Sequence, residues 1–293
     1  MTRINPSVPD DLRSLWSLAP HMWSRIVHRR VKSLLGAVAF RSGLHGVLLQ
    51  DRAVIVLFHG VGEAFSDYCD FFERYFRVIS LGELLDRLAN GRDVSHCLVI
   101  TFDGGSRESH DVAAAELSLR RLPACFFVTT ELVGSHAAPA WAMAEGVTPV
   151  WMSWDEVRGL AARGFEIGSH TMTHVDLSRA PGDTATREIL ASKSRLEREL
   201  GAPVRHFSYP FGRRDQITAA NRAVVRLAGF ECCLSAYGGL VAAGGDAFHL
   251  QRQPVTRWYV SPTHFGFDLL AAALERPLEY KHAVPERRVP SAA

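Results

Sequence analysis

Strand-like runs recur along the chain, unbroken and apolar or β-branched over Ala53 to Phe58 and Cys97 to Phe102 and with polar residues mixed in elsewhere, and each is closed by a polar residue or a glycine. Ala53 to Phe58 stops at His59-Gly60, Cys97 to Phe102 stops at Asp103-Gly104-Gly105, Phe165 to Ser169 delivers His170, and Arg205 to Tyr209 delivers Pro210-Phe211-Gly212. Apolar and β-branched runs of this kind, without alternation, are the pattern of strands buried on both faces. Arg77 to Ser80, Ala124 to Thr130, Phe230 to Ser235 and Leu250 to Val255 read the same way. Helices are predicted between them over Gly82 to Leu88, Ser109 to Arg121, Thr184 to Leu200 and Ile217 to Ala228. One more starts at Ser153-Trp154-Asp155-Glu156, which has capping-box spacing, and runs to Arg163 with Gly164 as its stop. Strand alternating with helix implies an α/β fold with parallel pairing and right-handed crossovers, here of about eight strands. No helical pattern precedes Leu250, so closure of a barrel there is expected to be irregular.

The amino-terminal stretch has a different pattern. Met22, Trp23, Ile26, Val27, Val31, Leu34 and Leu35 recur at helical spacing, with Arg25, His28, Arg29, Arg30 and Lys32 largely between them. A basic amphipathic helix is expected, packed across the bottom of the domain. The alternative is peripheral association with an anionic membrane through residues 21–35. The chain therefore divides into a helical extension (1–50), one α/β domain (51–275) and a Pro-rich, charged, mobile tail (276–293).

Composition narrows the function. At 293 residues and 47% hydrophobic, the chain can bury one large core. Its 33 basic residues nearly balance 31 acidic ones, so the global basic field of a nucleic-acid binder is missing. Five cysteines without a CxxC pair form neither a zinc ribbon nor a disulfide framework and fit a reducing compartment. The cytoplasm, or the inner face of its membrane, is the expected location. No apolar run approaches the roughly 20 residues that span a bilayer.

The candidate chemistry lies at the strand ends. His59, Asp103, His170 and the Tyr209-Pro210-Phe211 turn all follow buried strands, so a barrel would bring them to one face. A strand-end Asp can equally cap the next helix. His170 and His174 are four residues apart and would face the same way on a helical turn, as two ligands of one metal must. With 13 histidines in the chain, that spacing alone does not establish a metal site.

The motifs ITFDGG, EIGSHTMTH and FSYPFG, in this order, resemble those of the NodB-homology polysaccharide deacetylases, carbohydrate esterase family four. VLFHGV, ACFFVTTELVG and MSWDEVRGLAARGFEIGSH support the resemblance, which covers roughly Ala53 to Val260. It implies a distorted (β/α)7-8 barrel and metal-dependent hydrolysis of N-acetyl groups on the amino sugars of a glycan or glycan precursor. By that resemblance Asp103 is the base, His170 and His174 hold a divalent metal (zinc, or cobalt, nickel or manganese), and the Phe211 backbone N–H is the oxyanion donor. Tyr209, Pro210 and Trp154 are candidates for contact with the sugar. Two positions depart from the family pattern. Gly104 stands where a second Asp usually completes the metal site, and the late Leu-x-His motif that supplies the general acid has no clear counterpart. His59, His249 or His264 could stand in for that acid. At Gly104, three readings stay open: Asp103 or a water fills the position, the chain is a sugar-binding pseudoenzyme, or this copy carries an inactivating change.

Overall fold

The structure is a computed structural model and describes residues 20–274 apart from 63, 140–142 and 144–147, with the backbone alone over 20–26. The expectations for the tail and for the side chains of Met22, Trp23 and Ile26 lie outside the described residues. Helices α1 (Pro20–Arg41) and α2 (Leu44–Leu48) precede strand β1 (Arg52–Phe58). Helix α3 (Phe65–Tyr75), β2 (Arg77–Val78), α4 (Leu81–Ala89) and β3 (Cys97–Gly104) follow. A π-wound turn over Ser109–Ala113 leads into α5 (Ala114–Arg120), where a single regular helix was expected. Then come β4 (Cys125–Val128), α6 (Trp154–Ala162), β5 (Glu166–Ser169), α7 (Gly182–Leu200) and β6 (His206–Ser208). The chain continues through α8 (Ala219–Leu227), β7 (Cys232–Leu234), β8 (Val241–Ala242), β9 (Gln253–Pro254) and α9 (Pro262–Leu274). Among the described residues no helix is long and apolar enough to cross a membrane.

The sheet runs β7-β6-β5-β4-β3-β1-β8, with β2 on β3 and β9 on β1, and all pairs are parallel except β1 with β8. It curls into a barrel whose seam is the segment expected to be irregular. Leu250 bridges to Leu234 on β7, and three residues later Gln253 and Pro254 pair with Val56 and Leu57 on β1. The expected strand Leu250 to Val255 is thus split between two neighbours.

All eight residues of β3 are buried, and alternation decides what each one meets. Leu98, Ile100 and Phe102 point out to the helical layer, while Cys97 and Val99 point into the barrel and Asp103 stands on their side of the strand. Phe102 is sandwiched between Phe126 and Phe58, with ring centroids at 4.8 and 5.4 Å. Burying each such ring contributes about 1.5–3 kcal/mol, so the outer half of β3 anchors the strand that carries the acid. The strand continues two residues beyond its expected end, and Asp103 and Gly104 pair with Phe127 and Val128.

The capping box at Ser153 forms as predicted, with Ser153 accepting from Glu156 N–H and Glu156 accepting from Ser153 N–H. Helix α9 escaped the sequence pattern because it is apolar nearly all round. It is enclosed between the barrel and α1, with His264, Phe265 and Leu269 fully buried. Helix α1 packs along α9 in the outer layer, a correction to the expected place across the bottom.

Candidate active site

Four strand ends meet at one pole. Asp103 (β3), the loop after β5 with His170 and His174, the end of β6 with Ser208, and Arg252 before β9 form one buried polar cluster. Arg252 is wholly enclosed, and its Nη1 and Nη2 donate to the two Asp103 carboxylate oxygens at 2.8 and 2.7 Å. The same guanidinium donates to the hydroxyls of Thr101 and Ser208 and to the Ser235 carbonyl. Ser208 Oγ donates to Asp103 Oδ2 at 3.0 Å. Burial alone would raise the Asp103 carboxyl, but the Arg252 charge, helped by His170, outweighs it and holds the group far below the usual carboxylate range.

His170 is 1% exposed, and its Nδ1 lies 2.9 Å from the Ser208 carbonyl oxygen. A carbonyl can only accept, so Nδ1 carries the proton and donates, and Nε2 is left as a lone-pair donor 3.9 Å from Asp103 Oδ2. The His174 ring stands 5.0 Å from that of His170, centroid to centroid. Burial lowers both imidazoles, and the neighbouring His170 lowers His174 further, to about 3, so both are neutral at pH 7.

The two rings do not meet on a helical turn, a second correction. Residues 170–174 form an irregular loop in which Thr171 and His174 have φ of +64° and +62°. Glu188, projecting from α7, ties this loop down. It accepts from the backbone N–H groups of Met172 and Thr173 at 2.8 and 2.9 Å and from the Thr173 hydroxyl at 2.7 Å.

The other predicted residues fall in different places. His59 follows β1 directly beside Asp103 in register, is exposed, and is close enough for its charge to act on Asp103, His170 and His174. Phe211 has φ +59° and sets its ring edge-on to His174 at 4.7 Å, which brings the Pro210-Phe211-Gly212 backbone to the imidazole pair. Tyr209 is 2% exposed and packs on Phe207, so it supports that turn from within the core instead of facing outward. Trp154 lies under Arg195 of α7 in the outer layer, away from the imidazoles. Among the described residues, the tryptophan beside the cluster is Trp151, buried and hydrogen-bonded through Nε1 to the Ala137 carbonyl, with its ring 3.8 Å from where a Cβ on Gly104 would stand. His249 pairs with the Tyr237 hydroxyl and His264 packs among Trp258 and Tyr259, so neither of these two candidate acids joins the cluster. A cavity of about 400 Å³ lies elsewhere, lined by Gly82, Leu85, Arg205 and Gly245 and by none of the predicted residues.

Arg252, Ser208 and Glu188 were missed by sequence reasoning. Arg252 alone left a signal, as a charged residue inside a strand-like run.

A curled, mostly parallel sheet thus gathers an acid, two imidazoles and a backbone turn at its carboxyl pole in an α/β barrel. Residues 90–232 match the polysaccharide deacetylase family. It is 31% identical over 144 residues to a chitooligosaccharide deacetylase of Bradyrhizobium sp. (strain ANU 289), covering 47% of this chain and 58% of the relative. With one from Sinorhizobium fredii (strain NBRC 101917 / NGR234) it shares 29% identity over 115 residues, 39% of this chain and 46% of the relative. The chain thus spans about half the length of these curated relatives. In fold it is similar to IcaB from Ammonifex degensii, with TM-score 0.63 and 21% identity over 75% of this chain and 97% of that one. The Streptococcus pyogenes deacetylase PplD, solved in complex with acetate, gives TM-score 0.60 and 18% identity over 78% and 99%.

Proposed function

We propose that this protein is a metal-dependent N-deacetylase that hydrolyses N-acetyl groups on amino sugars of a polysaccharide, oligosaccharide or glycan precursor. The observation that carries this reading is the convergence of Asp103, His170, His174 and the Phe211 turn at one pole.

The residues fit a divalent metal. Imidazoles that bind metals donate their second N–H to a carbonyl or carboxylate, and the bond from His170 to Ser208 is of that kind. His170 and His174 would hold the ion, zinc by the chemistry of the donors, with cobalt, nickel or manganese as substitutes. When bound it supplies Lewis-acid polarisation of the acetyl carbonyl and makes a neighbouring water more acidic.

The protein's own groups do the rest. Asp103 Oδ1 accepts one bond, from Arg252, and Oδ2 accepts from both Arg252 and Ser208, so Oδ1 keeps the freer lone pair for the water proton. Arg252 keeps that carboxylate charged and fixes its plane. The Phe211 N–H stabilises the charge that gathers on the acetyl oxygen, and Pro210 shapes that side of the groove. His59, at the open edge, returns a proton to the departing amine. The five free, buried cysteines fit a cytoplasmic protein.

Gly104 favours a second reading, a sugar-binding pseudoenzyme. It offers no side chain at the position next to Asp103 where the resemblance places a third ligand. Acetate release from chitooligosaccharides by the purified protein, with and without chelator and with zinc added back, separates the two. Release that chelator abolishes and zinc restores is expected. Oligosaccharide binding without acetate under any metal would sink the enzyme reading.

A further inference from the structure

Helix α1 turns its apolar side away from the protein. Val27, Val31, Leu34, Leu35 and Val38 are between 47% and 66% exposed, and Val47 on α2, at 71%, adds to the exposed apolar surface. At 3.6 residues per turn those five fall within an arc of about 100°. The opposite arc does the packing. Lys32 pairs with Asp268 at 2.7 Å, Ser33 shares hydroxyl bonds with Ser261 and Thr263, and Phe40 is buried against Phe71. Gly36 lies so close to α9 that a Cβ there would stand 2.0 Å from the Thr263 carbonyl oxygen. The helix is therefore held by polar and small residues together with Phe40, and among the described residues its apolar stripe has no partner.

Charge selects what covers the stripe. Helix α1 carries Arg25, Arg29, Arg30, Lys32 and Arg41 and no Asp or Glu, and Arg30 and Arg41 are exposed along one flank of the stripe. A second copy would bring stripe to stripe but would also set these basic flanks against each other. Residues 1–19 hold Arg3 and Arg13 against Asp10 and Asp11, a balanced segment with no negative excess to offer. An anionic bilayer supplies an apolar interior and a negative surface together.

We propose that α1 is a docking element that lays this protein on an anionic lipid bilayer, with the apolar stripe entering the headgroup boundary and Arg30 and Arg41 at the phosphates. Arg29 stacks on Trp258 at 3.7 Å, in the loop that leaves the carboxyl end of β9, so docking brings the pole that carries Asp103 near the membrane surface. The inference stands on the helix alone and does not depend on turnover at the barrel.

Sedimentation of the full chain with phosphatidylcholine vesicles, with and without phosphatidylglycerol, tests it. Binding is expected only with phosphatidylglycerol and should weaken as salt rises. Leu34→Asp/Val38→Asp should lower it by at least ~10-fold with the melting temperature unmoved, and Arg30→Glu/Arg41→Glu should lower it at low salt. Several results would overturn the proposal: no binding by the unmodified chain, unchanged binding by the Asp variant, or a melting temperature that falls in that variant because the stripe is covered within the free protein. A dimer of the unmodified chain that the Asp variant disperses would assign the stripe to a second copy instead.

Discussion

Arg252 and Asp103 form a two-point ion pair closed off from solvent, with both guanidinium Nη atoms within 2.8 Å of the two carboxylate oxygens. They lie 149 residues apart, Arg252 within the segment that closes the barrel and Asp103 on β3. Removing one partner of such a pair strands the other, at a cost of about 3–5 kcal/mol. Arg252→Gln should lower unfolding free energy by that order in urea titrations. It should also shift the Asp103 carboxyl upward, since burial is then opposed only by His170 and His59, and move the acid limb of the pH–rate profile to higher pH. Adding Asp103→Asn to Arg252→Gln should recover part of the lost stability; a purely additive pair would contradict the coupling.

In its proposed role as base, Asp103 is predicted to matter for turnover more than for binding. Asp103→Asn should reduce kcat for acetate release by at least ~100-fold with KM little changed. A matching loss of metal affinity in a zinc titration would instead make Asp103 a ligand.

Gly104 has φ +99°, a conformation that side chains rarely adopt, although a Cβ there would meet only the Trp151 ring, at an ordinary contact distance of 3.8 Å. Gly104→Asp should therefore cost ~1–3 kcal/mol of stability through the backbone. It should nonetheless tighten metal binding by at least ~10-fold where the carboxylate reaches the imidazoles. Gly104→Ala carries the same strain without the ligand, so equal metal affinity in the two variants would rule out a restored site.

Glu188 touches neither the acid nor the imidazoles, yet it holds the loop between them. Glu188→Gln keeps one acceptor oxygen in place of two charged ones and should cost ~1–3 kcal/mol. Zinc affinity, measured calorimetrically, should fall by ~10 to 100-fold because the His170–His174 geometry loosens. Unchanged affinity in a destabilised variant would leave Glu188 a purely structural role.

His206 gives a pH signature at the inner end of β6. Its imidazole is 4% exposed, faces Cys125 Sγ at 3.9 Å, and is lowered from 6.5 to about 4, by burial first and by Arg205 second. Between those values the unfolded chain binds more protons than the folded one, so stability must decline as pH falls from about 6.5 to 4. A lowered unit is worth about 1.4 kcal/mol, which makes the loss a few kcal/mol. His206→Gln should flatten that part of the stability–pH curve in thermal melts.

The alternation of apolar runs with helical patterns was enough to order most strands and helices. A strand buried on both faces must be largely apolar, and such runs are visible one residue at a time. For the same reason Asp103, His170 and Phe211 stood out, because each interrupts the pattern where a strand ends. Helix α3 (Phe65–Tyr75) was overlooked despite its helical spacing of buried Phe65, Tyr68, Phe71 and Phe72, and the other misses lacked a local period. Helix α9 is apolar on nearly every side, and the loop 170–174 depends on two positive-φ residues and on Glu188 from another helix.

Taken alone, the sequence determined that a parallel α/β sheet forms and that an acid and two histidines stand at its strand ends, since strand period and burial are properties of short segments. Only the tertiary structure decided that Arg252 grips Asp103, that Tyr209 turns inward and Trp151 lies beside Gly104, and that α1 packs by its polar side. Those choices are set by which strands close the barrel and which helix faces approach across more than a hundred residues of chain, and no local pattern carries that information.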